Sequence, residues 1–382
     1  MIEKILFFLT IVLFSFGQLG RISFFDQQIN VYLYEIAVIA LLFILLIKYR
    51  LDPVKSSFKQ FRYIYLFFVW LLFSYIIGAY QYTFFENIVG LLYWLRLAFY
   101  FLFLLYLSFH VNKNKSVRSI IKDSLIVFIV LTIITSFTQY FLYPQLRNLI
   151  YLGWDEHLYR MFGTFFDTAI AGGIYGLTFL YIYLNKDLFI KKRHIRYLLL
   201  GLLFSCIMLT YSRTLYLSFG LLMIYLLIKK RSISKLILLS GIFSILLLII
   251  PKPVGEGVNL VRTTSIVARV KDYNSAFQIW LKNPVIGIGY NRIRYVKERL
   301  GMLTVDDYGI NHAAGSFHST FLIVLVTAGV PGLMLFALAL WQICRQNSKI
   351  LIYIIFLSLL SLSDNILFHP FILYLLFLIS NG

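Results

Sequence analysis

Apolar runs long enough to approach bilayer thickness alternate along this chain with short clusters of lysine and arginine. Twelve such runs stand out, near 5–20, 31–47, 63–80, 88–109, 124–142, 168–184, 197–211, 214–228, 236–250, 318–341, 350–363 and 370–380. Few carry a charge, and a vertical span needs about 20 predominantly apolar residues. The pattern predicts an all-α polytopic membrane protein of about twelve transmembrane helices with a partly helical extracytoplasmic insert. The seventh and eighth runs are short and share the break "TYSRT". The last two are shorter and share "SDNILFHP".

Composition strengthens the membrane assignment. The chain is 60% hydrophobic and only 13% charged, whereas soluble domains run at about 45–50% apolar and about 25% charged. The first residues, "MIEKILFFLTIVLFSFGQLG", resemble a signal peptide but lack a small-x-small cleavage site, so they read as a retained first helix. Two cysteines lie in or beside apolar runs and offer no disulfide framework. A formal charge of +19 raises the question of nucleic acid. Its distribution excludes that partner, because the basic residues cluster between apolar runs as membrane topology requires. With the N-terminus in the cytoplasm, Lys4 and the inside loops hold 21 of the 35 basic residues. Both termini are therefore expected in the cytoplasm.

Two outside segments are long, 143–167 and about 251–317. The second divides the chain into residues 1–250, with helices one to nine, an extracytoplasmic loop subdomain at 251–317, and residues 318–382, with helices ten to twelve, in one integrated membrane unit. Within the loop, Ile266, Val270, Tyr273, Phe277 and Trp280 recur at helical spacing. They predict an amphipathic helix ended by Asn283-Pro284, with Arg269 on its polar side. Asn291 to Leu300, with Arg292 and Arg294, reads as a second, basic helix.

Several residues could carry chemistry. In "GSFHSTFLIVLVTAGVPGL", His318 stands where an apolar run begins. A helix N-terminus there would keep the imidazole neutral and welcome anions; the plainer reading is a polar cap at the membrane interface. Arg213 in "TYSRT" reads as an anion-binding group or as an arginine snorkelling to the outer face. Arg96 lies roughly 12 Å below the outer edge of its span, too deep for easy snorkelling, and either pairs within the bundle or binds substrate. Glu35 reads as interfacial. "GIG" at 287–289 follows no strand and is no dinucleotide fingerprint. Asp306 and Asp307 read as solvated acids, and His312 and His318 show no metal-ligand spacing, so neither metal nor cofactor is assigned.

In order along the chain, these pieces resemble the bacterial O-antigen ligase and polymerase superfamily. "TYSRT" is similar to its Ser-Arg motif. "RVKDYNSAFQIWLKNPVIGIGYN" is similar to its Arg…Trp…Asn-Pro-x-x-Gly-x-Gly segment, here Arg269, Trp280, Pro284, Gly287 and Gly289. "FHSTFLIVLVTAGVPGL" resembles its His-Asn…Gly-x-x-Gly-Leu helix, with Ser319 in place of the usual asparagine. "RMFGTFFDTAIAG" resembles an Arg-x-x-Gly-Thr-Phe segment, with Arg160 and Gly163. The first ~140 residues match only as apolar spans.

The resemblance implies a glycosyltransferase at the outer face of the bacterial plasma membrane. Its donor and acceptor would be polyprenyl-pyrophosphate-linked oligosaccharides, with membrane lipids and a chain-length regulator protein as further partners. It implies a catalytic set of His318, Arg213 and Arg269, with the arginines on the pyrophosphate and His318 on the acceptor hydroxyl. Arg160, Arg96, Arg292, Arg294, Trp280 and Tyr273 are expected to bind substrate. Gly329, Pro331 and Gly332 would kink or narrow their helix to admit a neighbour or a lipid tail. The first expectation is a polymerase of repeat units for O-antigen or capsule; the alternative is the ligase that moves finished polymer to lipid A–core. A transporter or flippase fits less well, since neither similar halves nor midplane ionisable groups are present.

The charge pattern makes the topology testable. Reporter fusions after Ile250 and at Gly301 should read extracytoplasmic, and a fusion at Lys192 cytoplasmic. A cytoplasmic signal at Gly301 would invert the arrangement.

Overall fold

The fold was analysed in a computed structural model that describes residues 2–189, 192–229, 241, 245, 256–260, 262–303 and 315–382. The chain is predominantly helical. In order it forms α1 (Ile2–Ser15), α2 (Leu33–Tyr49), α3 (Asp52–Ser57), α4 (Arg62–Gly78), α5 (Phe84–Lys113), α6 (Lys115–Leu142), α7 (Thr168–Leu184), α8 (Arg193–Leu209) and α9 (Arg213–Lys229). Then come α10 (Thr264–Lys282), α11 (Ile293–Arg299), α12 (Thr320–Cys344), α13 (Ser348–Leu360) and α14 (Pro370–Asn381). Each expected apolar run except 236–250 contains one of these helices; that run falls almost wholly outside the described residues, as do Asp306, Asp307 and His312. Four stretches are long and apolar enough to cross a membrane by length and composition: 62–81, 84–113, 115–142 and 320–344. Shorter apolar helices, including α7, α13 and α14, accompany them.

Three features differ from the expectation. A small antiparallel hairpin, β1 (Arg21–Phe24) with β2 (Ile29–Tyr32), interrupts the all-α pattern. Its turn residues Phe25, Asp26 and Gln27 all take positive φ, a conformation that no apolar-polar pattern announces. Second, α5 and α6 run through the expected cytoplasmic loop. Asn114 alone separates them: its N–H bonds back to His110, and its side chain accepts from Ser116 N–H, so one residue caps both helices. Third, α10 faces the other way. Ile266, Val267, Val270, Phe277 and Leu281 of its apolar stripe are exposed, while Ala276 and Ile279 are buried and Asp272 is turned inward. In a membrane protein an exposed apolar stripe suits the lipid boundary, and the polar face is left to meet the bundle.

Helix α7 is buried on all sides. Gly176 permits this, since a Cβ there would overlap the Phe356 ring of α13. Large apolar side chains such as Phe43, Val69, Leu198 and Leu217 lie exposed on the outside of the bundle, as lipid-facing positions should.

The join that positions the functional face lies in the middle of α12. Gly329 has φ 66° and ψ −171° there, a region open essentially to glycine. Pro331 has no N–H for the Thr327 carbonyl, and the Val330 N–H turns away to the Pro284 carbonyl at 3.0 Å. The carbonyls so released are taken up from outside. Val326 accepts from Ile288 N–H and Thr327 from Gly289 N–H, both at 3.0 Å. Ser74 Oγ reaches Thr327 O at 2.9 Å, and Trp70 Nε1 reaches Ala328 O at 2.7 Å. The carbonyls of Val326, Thr327 and Ala328 and the N–H of Val330 are thus all partnered. The neighbour admitted by Gly329 is the chain's own Asn-Pro-x-x-Gly-x-Gly loop. Ala276, Ile279, Ile288, Ile293 and Phe317 complete a small apolar cluster with Ile323 and Val326 of α12. The segment expected to be an extracytoplasmic insert therefore shares its core with the long apolar helix α12.

Gly329→Ala should be severely destabilising. A Cβ there would overlap the Val285 carbonyl, and the backbone strain alone costs about 1–3 kcal/mol. The melting temperature of detergent-purified protein should fall by several degrees, or folded protein should be lost. An unchanged melting curve would rule out this account of the kink.

Candidate functional site

His318 precedes α12 and lines a cavity of about 300 Å³ with Asp155, Asp167 and Asp364. Three chain segments converge there for traceable reasons. The kink docks α10 beside the start of α12. Ser319 then caps α12, accepting weakly from Leu322 N–H, so His318 sits one position outside the helix and is not its cap. Thr320 fixes the turn between α13 and α14: its N–H donates to Ser361 O at 3.1 Å, and its hydroxyl accepts from Ile366 and Leu367 N–H. That turn carries Asp364 and His369.

Asp272 of α10 is the closest partner of His318. Its Oδ2 lies 2.9 Å from the ring Nδ1 and accepts the His318 backbone N–H at 2.7 Å. Its Oδ1 accepts from Lys297 Nζ at 3.1 Å, and Lys297 also donates to Ser316 O. A carboxylate can only accept, so Nδ1 carries the proton and Nε2 is left for a substrate. The Asp272 hydrogen bond raises the His318 pKa above its usual value, outweighing burial and the nearby Arg269. The direction is opposite to the one expected from a helix N-terminus. The same contacts, that with His318 foremost, draw Asp272 below its usual value against the opposing effect of burial.

Neither Arg269 nor Arg213 lines this cavity; Arg269 reaches its wall through Asp364, and Arg213 stands one residue from Thr214, which meets the same carboxylate. Arg269 Nη2 lies 3.3 Å from Asp364 Oδ2, and Thr214, next to Arg213, meets the same oxygen at 3.3 Å. Burial pushes Asp364 up to about 6 despite Arg269. Arg213 starts α9 and pins the approach to α10, donating to the Leu260 and Arg262 carbonyls and, at 2.6 Å, to Ser265 Oγ. These partners are neutral, and among the described residues no carboxylate pairs with it. Arg160 is buried and donates to Thr210 O at 2.9 Å; burial, with Arg262 nearby, lowers its pKa to about 10. Tyr273 holds the Leu362 carbonyl at 2.6 Å and approaches the His318 carbonyl at 3.3 Å.

The remaining expected residues divide. Arg96 makes a two-pronged ion pair with Glu35 at 2.7 and 2.8 Å. Glu35 is buried and caps α2, so it is a bundle residue and not an interfacial one. Arg292 is fully buried between the rings of Tyr75 and Tyr82, 4.1 and 4.2 Å from their centres, and donates to Asn87 at 2.5 Å. It ties the loop to α4 and α5, away from His318. Trp280 donates to Pro284 O at 3.3 Å at the end of α10. Arg294 lines a second cavity together with Arg96. Asp272, Asp364, Asp155, Asp167 and His369 were not singled out from the sequence. Asp272 follows Arg269 by three residues, so both lie on one helix face; Asp364 is the lone acid of the break "SDNILFHP". Among the described residues no group of three or more metal-ligating side chains is present.

Residues 198–337 match the family described as O-antigen ligase. The match covers less than half of the chain and supports the resemblance to the O-antigen ligase/polymerase superfamily. It runs from α8 through "TYSRT", α10 and the docked glycine loop to the kink of α12, so the three expected catalytic residues all fall within it. No curated protein matches the chain. The match supports an O-antigen ligase- or polymerase-type enzyme in an integral membrane protein acting on lipid-linked polysaccharide.

The Asp272–His318 contact generates a pH prediction. A folded His318 pKa above the unfolded value contributes stability that is complete below about pH 6.5 and is lost as pH rises through the folded pKa. If neutral His318 is the active form, Asp272→Asn should move the acidic limb of the rate profile to lower pH and lower the maximal rate. An unmoved acidic limb would detach Asp272 from the titrating group.

Proposed function

We propose that the chain is a glycosyltransferase polymerising polyprenyl-pyrophosphate-linked oligosaccharide repeat units into O-antigen or capsular polysaccharide. It would act on the outer face of the bacterial inner membrane with both termini cytoplasmic. One observation carries the reading: within the matched segment an imidazole oriented by Asp272 faces a cavity whose Asp364 pairs with Arg269 and meets Thr214, the neighbour of Arg213.

The chemistry is a substitution at an anomeric carbon. A hydroxyl of the acceptor sugar forms the new C–O bond as the bond to the pyrophosphate oxygen breaks. His318 Nε2 takes the hydroxyl proton, and Asp272 holds the resulting imidazolium. Polyprenyl pyrophosphate leaves with the bonding electrons. Arg213, whose acceptors among the described residues are neutral, would offer its charge to that anion, and Arg269 would exchange the Asp364 carboxylate for it. Arginines can supply the charge that a divalent ion supplies in many phosphate-handling enzymes. The ligase reading is the second choice and is favoured by the description of the matching family; it uses the same site with a different acceptor.

His318→Ala should lower transfer by about 10²–10⁴-fold at normal protein level, and Arg213→Lys should lose most activity because lysine lacks the planar fork. Normal polymer from both His318→Ala and Arg269→Ala would end this mechanism. Purified enzyme should keep its activity in excess EDTA. In a Gram-negative host, loss of a polymerase should leave core and core-plus-one-unit bands without a ladder. Bare core with carrier-linked polymer would instead select the ligase.

A further inference from the structure

A second cavity, of about 250 Å³, adjoins the His318 cavity, and the two share Asn30, Tyr32, Ser316, Asn365 and His369 in their walls. Their chemistry differs. The His318 cavity carries three aspartates, whereas no carboxylate lines the second among the described residues. Its walls hold amides, Gln27, Gln28 and Asn291 among them, and tyrosine rings including Tyr93 and Tyr290. Amides that fix hydroxyls beside aromatic faces are the lining a sugar ring requires. The volume is small beside the about 300–1,000 Å³ of ordinary ligand clefts, so one ring fits and a chain does not.

Two arginines face this space, and their states are unlike. Arg96 is neutralised by the two-pronged contact with Glu35. Arg294 has no hydrogen-bond or ion-pair partner among the described residues, and its Nη1 is shielded from solvent with no acceptor. Among the described residues no carboxylate lines the cavity to compensate it. A guanidinium N–H shielded from water and lacking an acceptor is costly, and a carboxylate that reaches it removes that cost with charge-assisted hydrogen bonds.

We propose that this cavity is a saccharide subsite for an acidic sugar, with Arg294 receiving the sugar carboxylate. The inference rests on the reading of the chain as a saccharide-transferring enzyme and deepens it, assigning a uronic-acid-type residue to the repeat unit next to the reacting bond. The shared chemistry, a planar or tetrahedral oxyanion, could also come from the pyrophosphate of the carrier, so the test separates the two.

Full-length protein in nanodiscs is titrated with methyl β-glucuronide, methyl β-glucoside and inorganic pyrophosphate. The glucuronide should bind about tenfold or more tighter than the glucoside, as a charge-assisted bidentate contact allows. Arg294→Gln should bring the two sugars to similar affinity, and Arg294→Lys, which keeps charge without the fork, should fall between. Pyrophosphate binding should survive Arg294→Gln. Equal affinity of the two sugars for the unaltered protein overturns the proposal, as does an unchanged preference in both variants. Loss of pyrophosphate binding on Arg294→Gln also overturns it, because the cavity would then hold the leaving group. Binding is read without turnover, so the two readings fail separately. Protein that transfers a lipid-linked repeat unit but ignores the glucuronide removes the subsite alone; protein that prefers the glucuronide but transfers nothing keeps the subsite and removes the enzymatic reading.

Discussion

The arrangement around His318 depends on one break in helix α12. A continuous helix would keep the carbonyls of Val326 and Thr327 for its own ladder. Gly329 and Pro331 release them, and Ile288 and Gly289 bond to them from the loop after α10. A polar backbone group inside an apolar bundle must find a partner, so a helix broken in this way commits the chain to supplying that loop. Docking the loop fixes the end of α10, and α10 carries Arg269, Asp272 and Tyr273 past the start of α12. The spacing of proline and glycines in "NPVIGIG" and "AGVPG" is thus a mutual requirement of two segments some forty residues apart.

That requirement explains what could be read from the sequence and what could not. The apolar runs disclosed the helices, because burial in lipid needs length and apolarity and both are local properties. The α10 and α11 helices were legible for a different local reason, amphipathic spacing and the Asn283-Pro284 stop. The direction in which α10 faces was not: an apolar stripe seeks a low-dielectric environment, and a bilayer provides one outside the protein. The stripe at Ile266, Val270 and Phe277 therefore turns out, and the polar side turns in. The β1–β2 hairpin escaped because its turn rests on three non-glycine residues at positive φ.

The site was legible in its cations and not in its acids. His318, Arg213 and Arg269 stand out because a charge beside an apolar run is costly and conspicuous. Asp272 stands among solvated-looking neighbours in a helix of mixed character, and only the docking of α10 shows that it faces an imidazole. Asp364 lies between two short helices, and its burial follows from Thr320 anchoring that turn. Pairings across forty or ninety residues are products of tertiary packing and leave no periodic signal.

Arginine was the least readable residue of all, for a reason that bears on function. From sequence alone each candidate is a fixed positive charge near the outer face. The structure sorts them by what they touch. Arg96 meets a buried carboxylate, and its charge is cancelled. Arg269 meets a carboxylate whose own pKa is pushed to about 6, so that pairing is weaker and exchangeable. Arg160 and Arg213 meet carbonyl or hydroxyl oxygens, which satisfy donors and leave the charge in place. Arg292 meets two aromatic faces and an amide and serves as a strut. A guanidinium attracts an incoming anion only with charge that its partners have not neutralised, and it grips the anion only with N–H groups that it can free. By that criterion, in the proposed reaction Arg213 would contribute field and Arg269 an exchangeable fork, while the Arg96–Glu35 pair belongs to the fold.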